Sequence, residues 1–209
     1  GDKEYMFSLM RKSSRMAFYL LFVIALPFLF NMDAVLSFWL DEVPEMSSGF
    51  ARLFLILALS ESLSGPLVTG TLATGKIRNY QILVGGLIML NFPVSYLFLK
   101  AGAPPESTVV ISIVISQICL FARLYMLNRL TGFPIRNYLI RVWLNVMKVT
   151  VAAVAISFFS DRFLPSGLAG TVMSIIICVA SAASMILFLG CSASERKELY
   201  QMISRRIRL

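Results

Sequence analysis

Residues 50–72 read FARLFLILALSESLSGPLVTGTL. A helix of this length, rising about 1.5 Å per residue, is long enough to cross a bilayer hydrocarbon core of roughly 30 Å. The run carries Glu61 close to its midpoint, with Ser60, Ser62, Ser64 and Gly65-Pro66 around it. An ionisable group at that depth costs about 2.5–3.5 kcal/mol on insertion scales unless it meets protein or water. Glu61 therefore either lines a wet cavity or is held, neutral or hydrogen-bonded, between packed helices. Glu61, Ser64, Gly65 and Val68 recur at i, i+3, i+4 and i+7, which predicts one small, polar helix face.

On either side of this run the same pattern repeats. Met16–Leu40, Tyr80–Leu99, Ser107–Leu127, Val142–Phe159 and Leu168–Gly190 are apolar stretches of spanning length, the Val142–Phe159 run being the shortest. The 209 residues are 58% hydrophobic and 14% charged, where a soluble chain has about 45–50% and about 25%. Mean hydropathy is +0.80. The expected fold is all-α: a polytopic integral membrane protein of about six transmembrane helices. Its expected parts are an amphipathic cytoplasmic lead-in (1–15), four spans (16–127), a basic cytoplasmic loop (128–141), two further spans (142–190) and a basic cytoplasmic tail (191–209). The loops leave no room for a folded domain outside the bilayer, so function is expected within it.

The net charge of +8 raises the question of nucleic acid, and the distribution of charge answers it. Asp41-Glu42-Val43-Pro44-Glu45 is acidic and Thr74-Gly75-Lys76-Ile77-Arg78 is basic, which puts them on opposite sides. Most Lys and Arg fall on the N-terminal, second, fourth and C-terminal connections, against Arg52, Lys100 and Arg162 on the others. By the positive-inside rule both termini face the cytoplasm, and the partner of the basic segments is anionic phospholipid rather than nucleic acid. In the tail, Leu199, Met202, Ile203 and Ile207 recur at helical spacing opposite arginines, as in a short interfacial helix over Glu195–Leu209. Gly1 is not an initiator methionine, and the chain is expected to begin within a longer protein.

Cys119, Cys178 and Cys191 sit in or beside apolar runs without CxxC spacing, and there is no histidine. No disulfide framework, metal centre or cofactor is expected, and His-based acid–base or triad chemistry is excluded. The polar groups expected at depth are few. Asn91 and Gln117 fall near mid-depth with Glu61; if their helices adjoin, the three form one polar belt suited to sugar hydroxyls or an ion, and otherwise the amides serve as interhelical glue. Asp33 and Arg52 lie near the same outer end and either pair or leave Arg52 to snorkel, as Arg123 can at an inner end. Pro27, Pro66 and Pro93 each remove a backbone hydrogen bond, which predicts hinges in three successive helices, with Gly65 assisting the second.

Several segments up to roughly Leu130 carry a resemblance. They include Phe38-Trp39-Leu40-Asp41-Glu42-Val43-Pro44, Phe50-Ala51-Arg52-Leu53, Ser64-Gly65-Pro66-Leu67, Ala73-Thr74-Gly75-Lys76-Ile77-Arg78-Asn79-Tyr80-Gln81 and Asn91-Phe92-Pro93-Val94-Ser95-Tyr96. Together with the basic lead-in they resemble the C-terminal half of polysaccharide flippases of the O-antigen type, in the multidrug/oligosaccharidyl-lipid/polysaccharide exporter superfamily. The resemblance implies two lobes facing a cavity that opens alternately to each side, of which this chain supplies one lobe plus extra C-terminal helices, with the N-terminal lobe as partner. It implies a substrate of undecaprenyl-pyrophosphate-linked oligosaccharide, moved across the bacterial inner membrane for polysaccharide or O-antigen synthesis, without catalysis. Arg52 or Arg123 would then face the phosphates, and Asn91 or Gln117 the sugar hydroxyls.

Three other readings stand beside it. A cation-coupled drug exporter of the same superfamily would use Glu61 as a proton or sodium site, within a more apolar cavity. A membrane enzyme acting on polyprenyl phosphate lacks a paired-acid metal motif and histidine. A structural membrane subunit would need no polar cavity at all.

Overall fold

A computed structural model of the chain describes residues 2–165, 167–192 and 195–196. Every regular element among them is helical: α1 (Asp2–Trp39), α2 (Ser47–Ser62), α3 (Gly65–Leu72), α4 (Arg78–Met89), α5 (Asn91–Lys100), α6 (Ser107–Thr131), α7 (Ile135–Tyr138), α8 (Leu144–Asp161) and α9 (Leu168–Met185). Two π-helical turns, Leu139–Trp143 and Ile186–Gly190, join α7 to α8 and extend α9. Five helical stretches among the described residues are long and apolar enough to cross a membrane, and six if the bent pair α2–α3 is counted as one span.

The apolar side chains explain the arrangement. Leu20, Ile24, Phe92, Phe158 and Ile176 point outward, whereas the buried set, which includes Phe22, Leu26, Leu67, Leu120, Leu124 and Val149, forms a thin seam between helices. That distribution suits a chain whose solvent is itself apolar. α1 and α6 are the two central helices. α1 packs on α9, α2, α3 and α8, and α6 packs on α2, α3, α4 and α5. The α4–α5 span is the outermost, resting on α6 with little of its surface covered.

Prolines set the breaks. A proline ring clashes with the carbonyl four residues earlier, so the helix ends there. α2 ends at Ser62, four before Pro66, and α4 ends at Met89, four before Pro93. The first break bends α2–α3 by 40°. Pro27 behaves differently: it lies buried in continuous helix, and the distortion comes at Asn31 (φ −111°, ψ 24°), whose side-chain Nδ2 donates to the Pro27 carbonyl at 3.0 Å. Gly65 is sterically unforced, since nothing lies near where its Cβ would stand.

Two expected boundaries shift. Residues 2–15 are not a separate lead-in but the first turns of α1, with Phe7, Met10 and Ser14 buried along one face. Phe7 packs edge-on against Phe133, with ring centroids 5.1 Å apart, and that second contact fixes the helix against the fold. The basic loop 128–141 is mostly helical as well. α6 runs to Thr131 and stops at Gly132, whose left-handed φ of 79° and following Pro134 end it, and helix resumes at Ile135. The expected interfacial helix Glu195–Leu209 lies outside the described residues, apart from Glu195 and Arg196.

Candidate functional site

α6 carries a stripe of small and polar residues at helical spacing: Ser112, Ser116, Cys119 and Arg123. Because α2 and α4–α5 both pack on α6, this stripe becomes the floor of a cavity of about 200 Å³. Leu57 and Glu61 line it from α2, Ile88 and Asn91 from the α4–α5 break, and Ile115 from α6. The helix interruptions at Leu63-Ser64 and Leu90 lie beside it, so the backbone is least regular where the polar groups collect.

Each polar side chain has a definite setting. Asn91 Nδ2 donates to Ser112 Oγ at 2.8 Å and its Oδ1 accepts from Ser95 at 3.0 Å, which fixes the amide across α5 and α6. Arg123 Nε donates to the buried Tyr80 hydroxyl at 3.3 Å, leaving the guanidinium lining the cavity. Glu61 is exposed to the cavity, and among the described residues it closes no ion pair with Arg123. A second, wider cleft of about 780 Å³ shares Ile88, Asn91 and Ser112 with the first and is walled mainly by Phe54, Met89, Phe92, Pro93 and Val109. A small polar chamber thus adjoins a wider apolar groove.

The belt expected of Glu61, Asn91 and Gln117 is divided. Glu61 and Asn91 share the cavity, but Gln117 turns away: its Nε2 donates to Ser60 Oγ and its Oε1 accepts from Trp143 Nε1 at 3.4 Å. It is glue between α2, α6 and the first π turn, strengthened by the Ser60–Ser116 hydroxyl contact at 3.3 Å. The face expected to carry Glu61 with Ser64 is also split, because the break buries Ser64 while Glu61 stays exposed. Asp33 and Arg52 do pair, at 2.6 Å, between the C-terminal part of α1 and the first turns of α2, and neither lines the chamber. Pro66 and Pro93 sit at the breaks beside the chamber; Pro27 does not.

Sequence reading placed Ser116 at mid-depth beside Gln117 and took Cys119 for a packing residue, but missed Ser112 and Tyr80, although the i, i+4, i+7, i+11 stripe on α6 marks Ser112, Ser116 and Cys119 together with Arg123. It also missed Asn145 and Lys148, which with Arg141 follow i, i+4, i+7 at the start of a spanning helix. At the break itself, the fully buried Tyr138 donates its hydroxyl to the Leu63 carbonyl at 2.9 Å, capping a group that a regular helix would satisfy internally. The three cysteines are buried and unpaired, and no group of metal-binding side chains forms among the described residues. Comparison with protein-family models, curated proteins and solved structures finds no match for this chain.

Proposed function

We propose that this chain is a lobe of a membrane transporter for an amphipathic, phosphate-bearing lipid, with a lipid-linked oligosaccharide as the substrate class. The observation that carries the reading is the chamber holding Arg123, Asn91, Ser112 and Ser116 beside Glu61 and opening on the apolar cleft along α6. A sugar–phosphate head needs a cation for its phosphate and neutral donors for its hydroxyls, while its hydrocarbon needs an apolar wall. Helices interrupted beside the chamber supply elements able to bend between inward-open and outward-open forms. The chain would lie in a bacterial inner membrane with both ends cytoplasmic, touching anionic phospholipid, and would face a second lobe across the cavity.

A second reading, the cation-coupled exporter, is favoured by the exposed carboxylate of Glu61 in the same chamber. The cation, amide and hydroxyls around that acid support the lipid-linked substrate over it.

The test uses cells carrying the intact gene, its deletion, and the Arg123→Gln and Glu61→Gln variants. The lipid-linked oligosaccharide left on the cytoplasmic leaflet is measured. Accumulation on deletion that the wild type reverses and Arg123→Gln does not is the expected result. No accumulation, with altered resistance to cationic drugs and loss of function in Glu61→Gln, would replace the first reading by the second.

A further inference from the structure

The inner ends of α1 and α8 form a second polar feature, separate from the α6 chamber. Along α1, Arg11 and Arg15 are one turn apart with Lys12 beside them; across from them, Arg141 in the π turn and Lys148 in α8 lie on one stripe with Asn145 between. The two stripes line one open cleft of about 690 Å³. Among the described residues lining it, Arg11, Lys12, Arg15, Arg141 and Lys148 stand around the carboxylate of Glu195, which is held by Arg15 at 2.6 Å and accepts the Ser192 backbone N–H at 2.8 Å, while Glu4 lies beside Arg11 and Arg141 in the adjoining cleft.

Topology alone does not produce this cluster. The positive-inside bias requires basic residues on the cytoplasmic connections, in no particular arrangement. Here the charges project from two helices into one concavity, and their supports are built. The Gly190 carbonyl, at the end of the second π turn, accepts both Arg15 Nη1 at 3.3 Å and Asn145 Nδ2 at 3.1 Å, tying one member of each stripe to the same atom. Lys148 lies inside a span, where an ammonium facing hydrocarbon costs about 2.5–3.5 kcal/mol, and opening on a hydrated cleft removes that cost. Like charges converging on a concave wall raise the local positive potential, which favours a multiply charged anion.

We propose that this cleft binds a phosphate-bearing anion, a phosphomonoester or pyrophosphate, at the inner end of the α1–α8 interface. Guanidinium forks match phosphate oxygens two at a time, Asn145 adds a neutral donor, and a multiply charged phosphate offsets more of the cationic excess than a carboxylate does. The anion's source is a lipid headgroup or a soluble phosphate. The inference does not rest on the transport reading.

The experiment titrates the purified full chain, in zwitterionic detergent and in phosphatidylcholine nanodiscs with or without phosphatidic acid, with inorganic pyrophosphate by calorimetry. Arg141 and Lys148 are exposed, so Arg141→Gln/Lys148→Gln is expected to fold, with thermal unfolding as the check. The expected result is saturable binding by the wild type, weakened about tenfold or more in the double Gln variant, which is at least about 1.4 kcal/mol. The charge-conserving Arg141→Lys/Lys148→Arg should stay within about threefold, because both charges remain. Phosphatidic acid that abolishes the titration identifies a lipid headgroup; a titration indifferent to it identifies a soluble phosphate. Lys100→Gln, which alters a basic residue lining neither cavity, should bind pyrophosphate like the wild type, which separates this cleft from a general effect of net charge. Absence of saturable binding, or equal affinity in the double Gln variant, would overturn the proposal.

Discussion

Tyr138 shows how a single hydroxyl stabilises a broken helix. Its ring is buried against Phe133, and its O–H is directed at the Leu63 carbonyl that the Pro66 break leaves exposed. Tyr138→Phe keeps the packing and removes the donor, and the expected loss is about 1–3 kcal/mol, seen as a lower thermal midpoint in detergent. An unchanged midpoint would mean that the carbonyl finds another donor. Gly190 is the opposite case, a residue defined by what it lacks. A Cβ there would come within 2.9 Å of the Tyr19 ring, and both belong to packed elements, so Gly190→Ala should displace the carbonyl on which Arg15 and Asn145 converge. The expected outcome is a lower midpoint together with weaker pyrophosphate binding; a stable variant that binds normally would show that the ring yields.

At the level of elements, what proline does was legible and what amides do was not. The rule that a proline interrupts the helix four residues upstream locates the ends of α2 and α4 from sequence, and it does not hold at Pro27, where the helix runs on and the distortion comes at Asn31, whose side chain bonds the Pro27 carbonyl. Gln117 and Asn91 look alike in a hydropathy profile, yet one faces the chamber and the other a tryptophan, because only the packing of α6 between α2 and α4–α5 decides direction. Asn145 and Lys148 were hidden for a related reason: an average over a window records two polar residues as a weaker span, whereas their shared stripe with Arg141 records a surface. The separate lead-in was misplaced because charge suggested solvent, while Phe7 and Met10 had enough apolar surface to join the core. The α2–α3 bend yields a prediction at this scale. Pro66→Ala restores the missing donor and should straighten the pair, lengthening the distance between spin labels at exposed positions 45 and 76 and slowing transport without lowering stability. An unaltered distance would show that packing against α6, rather than the proline, holds the bend.

For the whole molecule, the clamp between Arg15 and Glu195 joins the beginning of the described chain to its end. Burial works against the Glu195 carboxylate, but the Ser192 backbone N–H and the charge of Arg15 outweigh it and hold the carboxyl below its usual value of 4.5. A carboxyl depressed in the folded state contributes stability that is fully present above the unfolded value and is lost as pH falls through the folded one. The gap in thermal midpoint between the wild type and Glu195→Gln should therefore be widest near neutral pH and narrow as pH falls below the usual carboxyl value; a gap independent of pH would remove the charge from the explanation. The same closure of the chain on itself extends over whole helices. α1 has its most extensive packing with α9, and the two are separated by nearly the entire sequence. A ribosome delivers α1 before α9, so the face of α1 that meets α9 must wait for its partner while the helices between them are made. Synthesis halted before Leu168 would leave α1 without the neighbour it packs on most, an uncovered face for quality control to read.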